Sequence, residues 1–202
     1  MDAAPPDSSA VDDMTLLTRV RQGDAAALST LYRRHSGVVF RHARIHAPHC
    51  DAAADATQET FLWLATQGAF SYDRAQGSLA AFLCGVVRNQ VLRIRAQDAR
   101  QPLSLEDVEA PSPDGDEDAI QDALAPLLAQ ERGQALLDAL RELPPEHREV
   151  VALIEFEEFS YAETAAILGC AIGTVRSRLH RAKAALHQRL MELFPPERRN
   201  AA

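Results

Sequence analysis

The sequence predicts an all-α protein of two small helical domains joined by an acidic, flexible linker, and three observations carry that expectation. Apolar residues recur at i, i+3, i+4 and i+7 through long Ala/Leu-rich segments, with no sustained period-two alternation of the kind strands need. Residues 102–118 combine Pro102, Pro111, Pro113 and Gly115 with a run of carboxylates, and such a stretch buries too little apolar surface to order itself. Charge is also segregated. Residues 74–100 hold five arginines against Asp98, 101–131 hold nine carboxylates and no Lys or Arg, and 174–202 hold seven bases against Glu192 and Glu197. The formal net charge of -8 therefore hides two basic modules flanking an acidic connector.

The elements follow in order. Residues 1–12 are expected to be disordered. A first helix runs from about Asp13 to Gln22, Gly23 and Asp24 stop it and cap a second, Ala25 to about Ile45, and Pro48 closes that unit. A third helix covers about Ala52 to Thr66, Gly68 to Gly77 reads as a loop, and a fourth covers about Ser78 to Ala99. The first domain is thus 13–100, the linker 101–130, the second domain 131–194 and the tail 195–202. The second domain opens after a helical stretch, Ile120 to Leu143, where Pro144 and Pro145 restart a helix that carries Val150, Val151, Leu153 and Ile154 inward to about Glu158.

Several classes are excluded. The 202 residues, 47% hydrophobic and 25% charged, suit one or two ordinary cores rather than a disordered or disulfide-stapled chain. No apolar stretch approaches the ~20 residues that span a bilayer, and the acidic N-terminus lacks the features of a secretory signal, so a cytoplasmic protein without membrane contact is expected. Cys50, Cys84 and Cys170 are isolated and read as small buried apolar residues. No phosphate-binding Gly-rich loop, nucleophile elbow or His-Glu-x-x-His pair is present, so neither an enzyme nor a cofactor is expected. His42, His46, His49 and Cys50, with His35 upstream, carry metal-ligand types. His42 and His46 stand at i and i+4, but Pro48 breaks the helix before the other two and no carboxylate completes the set, so the expectation is a solvated or partner-facing surface and no metal.

The sharpest local signal lies between Ser160 and Leu190. Ser160-Tyr161-Ala162-Glu163 is a capping box that starts a short helix through Leu168, and Gly169 ends it. After the turn Gly169-Cys170-Ala171, a second helix lines up Ile172, Val175, Leu179, Ala182 and Leu186 on one face. Its other face shows Thr174, Arg176, Ser177, His180, Arg181 and, at the flank, Arg178, with Lys183 in the same basic string. That pattern is a helix-turn-helix whose second helix fits a major groove, where arginines fork to guanine or clamp phosphates.

Three strings carry a family resemblance: Leu143 to Val151, Phe159 to Glu163, and Gly173-Thr174-Val175-Arg176-Ser177-Arg178-Leu179-His180-Arg181-Ala182-Lys183. They resemble region 4 of bacterial RNA polymerase sigma factors of the extracytoplasmic-function (ECF) type, with Ala171 where the family often has proline. Gln58-Glu59-Thr60-Phe61-Leu62 and Arg88-Asn89 are similar to region 2 of the same family. The resemblance implies no catalysis but docking on core RNA polymerase, with Asp55, Gln58, Glu59 and Leu62 on the β′ coiled coil and region 4 on the β flap. It further implies minus-ten contacts from Arg88, Asn89, Arg93 and Arg95, minus-thirty-five contacts from the helix-turn-helix, and promoter DNA as the second partner.

Two departures matter. Where the family carries an acidic run before Gln-Glu, this chain has Ala52-Ala53-Ala54-Asp55-Ala56-Thr57, and two expected carboxylates are alanine. A phosphate on Thr57 or, as second choice, Thr60 would restore about two negative charges there. Two readings stand: a phosphorylation switch worked by a Ser/Thr kinase rather than release from an anti-sigma factor, or Thr57 as an ordinary helix residue with docking carried by Asp55, Gln58, Glu59 and apolar contacts. After Asn89 the family's Asp and paired arginines are replaced by Arg93-Ile94-Arg95, which keeps the basic character but moves its register. The alternative to a sigma factor is a helix-turn-helix transcriptional regulator that binds a palindromic operator without polymerase.

Overall fold

The computed structural model describes residues 11–98, 136 and 138–194; the acidic linker and the tail at 195–202 lie outside them. They fall into two compact units, one within residues 1–111 and one within 112–202. Among the described residues every regular element is helical, as the periodicity predicts.

In the first unit α1 (Asp13–Arg21) is capped by Asp12, whose side chain accepts from the Met14 amide at 3.3 Å. Val11 and Asp12, within the segment expected to be disordered, are thus structured, and the Val11 carbonyl accepts from Arg34 at 2.6 Å. Gly23 takes φ 85°, a turn geometry that costs glycine nothing, and Asp24 caps α2 (Ala25–His46) by accepting from the Ala26 and Ala27 amides. Helix α2 packs against α1, α3 (Cys50–Trp63) and α5 (Leu79–Asp98). Leu17 of α1, Leu31 and Val39 of α2, and Leu83 and Val87 of α5 are fully buried. Burial of each such side chain is worth about 1.5–3 kcal/mol.

The expected loop at 68–77 is partly helical. Helix α3 runs on through a π-helical turn, Leu64–Gly68, into one further α turn, α4 (Ala69–Ser71), and Arg74–Gln76 forms a 3-10 turn. Gly68 does not end the helix; it makes room within it. A Cβ there would lie 2.4 Å from the Trp63 ring, which packs on Phe82 with centroids 5.9 Å apart.

In the second unit, residues 138–141 end a helix, and the Arg148 side chain donates to the Leu140, Arg141 and Leu143 carbonyls at 3.1, 2.7 and 3.1 Å. Those carbonyls lie at or just past the helix C-terminus, where the Leu140 oxygen also accepts from the Leu143 amide at 3.2 Å and the guanidinium supplies further donors. Helix α6 (Pro145–Val151) gives way to a π-helical turn, Ala152–Phe156, before the Glu158 expected as its end. Glu158 itself has φ 56°, so the chain reverses there. Helices α7 (Tyr161–Leu168) and α8 (Ile172–Leu193) follow, and α8 packs on both α6 and α7.

Candidate nucleic-acid and docking interfaces

The Ser160 hydroxyl accepts from the Glu163 amide at 3.2 Å while the Glu163 carboxylate accepts from the Ser160 amide at 3.0 Å, so both halves of the capping box are made. Gly169 closes α7 in the left-handed conformation, φ 63°. Ala171, where the family this chain resembles often has proline, has φ -68°, the angle a proline ring would impose. The turn therefore keeps its geometry without the ring.

Helix α8 buries Val175, Leu179 and Ala182 and exposes Arg176, Ser177, His180, Arg181 and Lys183, with Thr174 and Arg178 half-buried at the flanks. Ile172, expected on the inner face, is 42% exposed. It is the first helical residue, and a helical side chain leans toward the N-terminus, here past the helix end. Leu186 is half-buried. The Ser177 hydroxyl donates to the Thr174 carbonyl at 2.9 Å, and the Arg176 guanidinium stands 5.7 Å from the centre of the Tyr161 ring. Lys183 lies 2.7 Å from Glu155, and this hydrogen bond raises the lysine pKa. Of the basic residues expected to meet DNA, Lys183 is thus held by a carboxylate.

On α5, Leu83, Cys84, Val87 and Val91 are buried, Asn89, Arg93 and Arg95 are exposed and Arg88 is half-buried. Asn89 and Arg93 stand opposite the buried stripe. Arg95 donates to the His46 carbonyl at 3.0 Å and so closes the last turn of α2.

On α3 the four residues expected to dock polymerase, Asp55, Gln58, Glu59 and Leu62, all lie on the exposed face, Leu62 at 66% exposure. Beside them runs an open groove of about 470 Å³, lined by Leu28, Tyr32, Arg33, Gln58, Phe61 and Leu62. The Tyr32 ring meets Phe61 edge-on, centroids 4.9 Å apart. Sequence reasoning missed Leu28 and Tyr32, although their i, i+4 spacing on α2 is the available signal.

Nothing in the structure supports the phosphorylation expectation. Thr57 and Thr60 are 3% and 0% exposed. The Thr57 hydroxyl donates to the Ala53 carbonyl at 2.7 Å, and that of Thr60 lies 2.8 Å from the Ala56 carbonyl and 2.7 Å from the Gln90 side-chain oxygen. Both belong to the core stripe Ala53, Ala56, Thr57, Thr60 and Phe61, as ordinary helix residues facing inward would. Of the histidines His42 departs from the expected solvated or partner-facing surface: it is buried in phase with Val39 and Ala43, its ring edge-on to His46, while His49 is exposed. His49 accepts from the Ala52 amide at 3.1 Å as the cap of α3. Of the cysteines only Cys84 is buried, while Cys50 is exposed at the start of α3 and Cys170 is half-buried in the turn. No helix among the described residues is long and apolar enough to cross a membrane.

Comparison with known proteins decides the family. Residues 31–101 match the Sigma-70 region 2 family and residues 133–186 match Sigma-70, region 4. The chain is 35% identical over 175 residues to the ECF RNA polymerase sigma factor SigM of Mycobacterium tuberculosis (strain ATCC 25618 / H37Rv), covering 86% of this chain and 82% of the relative. The protein belongs to the ECF sigma factors. The ECF RNA polymerase sigma-E factor of Escherichia coli (strain K12) is 29% identical over 192 residues, 93% of this chain and 98% of that one. The same fold occurs in CnrH, solved with the cytosolic domain of CnrY, at TM-score 0.58 and 23% identity over 93% of this chain and 99% of that one. It occurs too in RpoE, solved with the anti-sigma factor NepR from Bartonella quintana, at TM-score 0.53 and 24% identity over 82% and 97%. Within this ECF factor, α3 and α5 fall in the region 2 match, and α6, α7 and the first part of α8 in the region 4 match.

Proposed function

We propose that this ECF sigma factor docks on core RNA polymerase through the exposed face of α3 and reads promoter DNA with two separate helices. Asp55, Gln58, Glu59 and Leu62 meet the β′ coiled coil, with the Tyr32–Phe61 groove beside them receiving apolar side chains. Arg88, Asn89, Arg93 and Arg95 hold the opened minus-ten strand, Arg95 through its second role at the end of α2. Residues Thr174, Arg176, Ser177, Arg178, His180 and Arg181 enter the minus-thirty-five major groove, while region 4 meets the β flap. Duplex edges can be read without melting, whereas unpaired bases need basic residues along a single strand, so two sites on one tether serve both tasks. Chemistry belongs to the polymerase, and control by a phosphate on α3 is not part of this reading.

The observation that carries the proposal is α8, where Arg176, Ser177, His180 and Arg181 are exposed opposite the buried Val175, Leu179 and Ala182. Its docking half is tested by titrating core polymerase with full-length wild type, Leu62→Asp and Glu59→Lys. Both side chains are exposed, so the variants are expected to melt like wild type yet bind polymerase at least tenfold more weakly. Wild-type affinity in both variants contradicts the assigned face.

A further inference from the structure

Arginine is a long side chain with many rotamers, and one that must fork to a base edge gains from being held before it binds. Arg176 lies in the second turn of α8, among the N-terminal residues that contact base edges in helix-turn-helix proteins. Its guanidinium carbon stands 5.7 Å from the centre of the Tyr161 ring, within the range of a cation–π contact. Tyr161 is the first residue of α7, directly after the Ser160 cap, so the capping box fixes the backbone from which the ring projects. Tyr161 is 41% exposed, too open for a core residue. An aromatic ring has only two side-chain torsions and loses little freedom in serving as a platform.

From this geometry we infer that Tyr161 is a positioning residue for promoter specificity: its ring holds the Arg176 guanidinium in the orientation that reads one base pair of the minus-thirty-five element. Tyr161 does this through its aromatic face, without a base contact of its own. The inference rests on the reading of Arg176 as a base reader. Arginine's usual base partner is guanine, through O6 and N7, so the base pair concerned is a G·C pair. Lysine at 176 does not substitute, since an ammonium offers neither the planar stack nor the fork.

The test uses holoenzyme reconstituted from core polymerase and the full-length chain, selecting from duplex promoters randomised over the upstream element. Preference at each position is compared among wild type, Tyr161→Phe, Tyr161→Leu, Tyr161→Gln, Arg176→Ala and the double variant Tyr161→Leu/Arg176→Ala. Arg176→Ala is expected to lose preference at one base pair. Tyr161→Leu and Tyr161→Gln are expected to lose about two- to five-fold of the preference at that same pair, the worth of an exposed cation–π contact. Tyr161→Phe keeps the wild-type pattern, and the double variant is no worse than Arg176→Ala alone. With two ring-free variants, the result does not depend on either one folding.

Wild-type preference in both ring-free variants overturns the inference while leaving Arg176 as a reader. So does an equal loss in Tyr161→Phe, which would make the hydroxyl the active group, or a loss spread evenly over all sequences, which would mark a phosphate contact or a fold defect. If Arg176→Ala changes no position, the base-reading role of Arg176 fails and this inference with it, whereas polymerase binding in the same assay still reports on the α3 face.

Discussion

The Thr60 hydroxyl lies 2.7 Å from the side-chain oxygen of Gln90, joining the helix that presents Asp55, Gln58 and Glu59 to the helix that presents Asn89. The same hydroxyl is 2.8 Å from the Ala56 carbonyl, and its single proton serves one acceptor at a time. Thr57, one turn earlier, donates only to the backbone of its own helix, at Ala53. The two threonines therefore differ in what their loss leaves behind.

Thr60→Val leaves the Gln90 side-chain oxygen without its partner at a part-buried interface and is expected to destabilise the first unit by about 1–2 kcal/mol. Thr57→Val should stay within about 1 kcal/mol, because no side chain is orphaned. A glutamate at either position places a charge among apolar neighbours, costs several kcal/mol and lowers polymerase binding. Urea unfolding of the four variants, with polymerase titration alongside, checks this; a Thr57→Glu protein that is stable and binds polymerase more tightly contradicts it.

Asp13 gives the first unit a dependence on acid. Its carboxylate meets His35 Nε2 and Arg34 Nη1, each at 2.8 Å, and the hydrogen bond from His35, helped by Arg34, holds its pKa below the usual 3.8. A carboxyl whose folded pKa is depressed contributes stability that is fully present above its unfolded value and lost as pH falls through the folded one. Asp13→Asn should cost about 1 kcal/mol at neutral pH, allowing for partial exposure, and flatten the loss of stability below about pH 4. Melting curves of both proteins between pH 2 and 7 report it, and parallel pH profiles would count against the contact.

Gly68 inverts the usual rule that alanine stabilises a helix over glycine. Because an added Cβ would meet the Trp63 ring at 2.4 Å, Gly68→Ala must displace that ring from Phe82. The expected outcome is a loss of about 1–3 kcal/mol in thermal or urea unfolding, where an unhindered site would gain up to about 1 kcal/mol.

Glu155 holds Lys183, one of the residues expected to meet DNA. Glu155→Gln removes the carboxylate 2.7 Å from the ammonium, and the freed cation should add about one unit to the slope of log affinity for non-specific duplex against log salt. An unchanged slope would mean that Lys183 does not face the duplex.

Much of this was legible in the residues. The capping box at Ser160, the reversal at Gly169 and the alternation of Val175, Leu179 and Ala182 with arginines each depend on local chemistry that no distant contact overrides. The burial of Thr57 was readable as well, since it stands four residues after Ala53 and four before Phe61. Small residues such as Ala and Thr fit either face of a helix, however, so that phase is weak beside the missing carboxylates. The helical role of Gly68 was not legible, because it depends on where the Trp63 ring packs. Nor was the π-helical turn at 152–156, which interrupts an otherwise regular apolar pattern.

The most direct test of the account is transcription from a genomic promoter library by core polymerase with the full-length chain, run beside duplex binding by the chain alone. The account predicts selective initiation at a defined promoter set only when both components are present. It further predicts that Arg176→Ala/Arg181→Ala loses the upstream element while still binding polymerase. Sequence-specific binding of a palindromic duplex by the isolated chain, with no affinity for core polymerase, would contradict it and favour a regulator that works without polymerase.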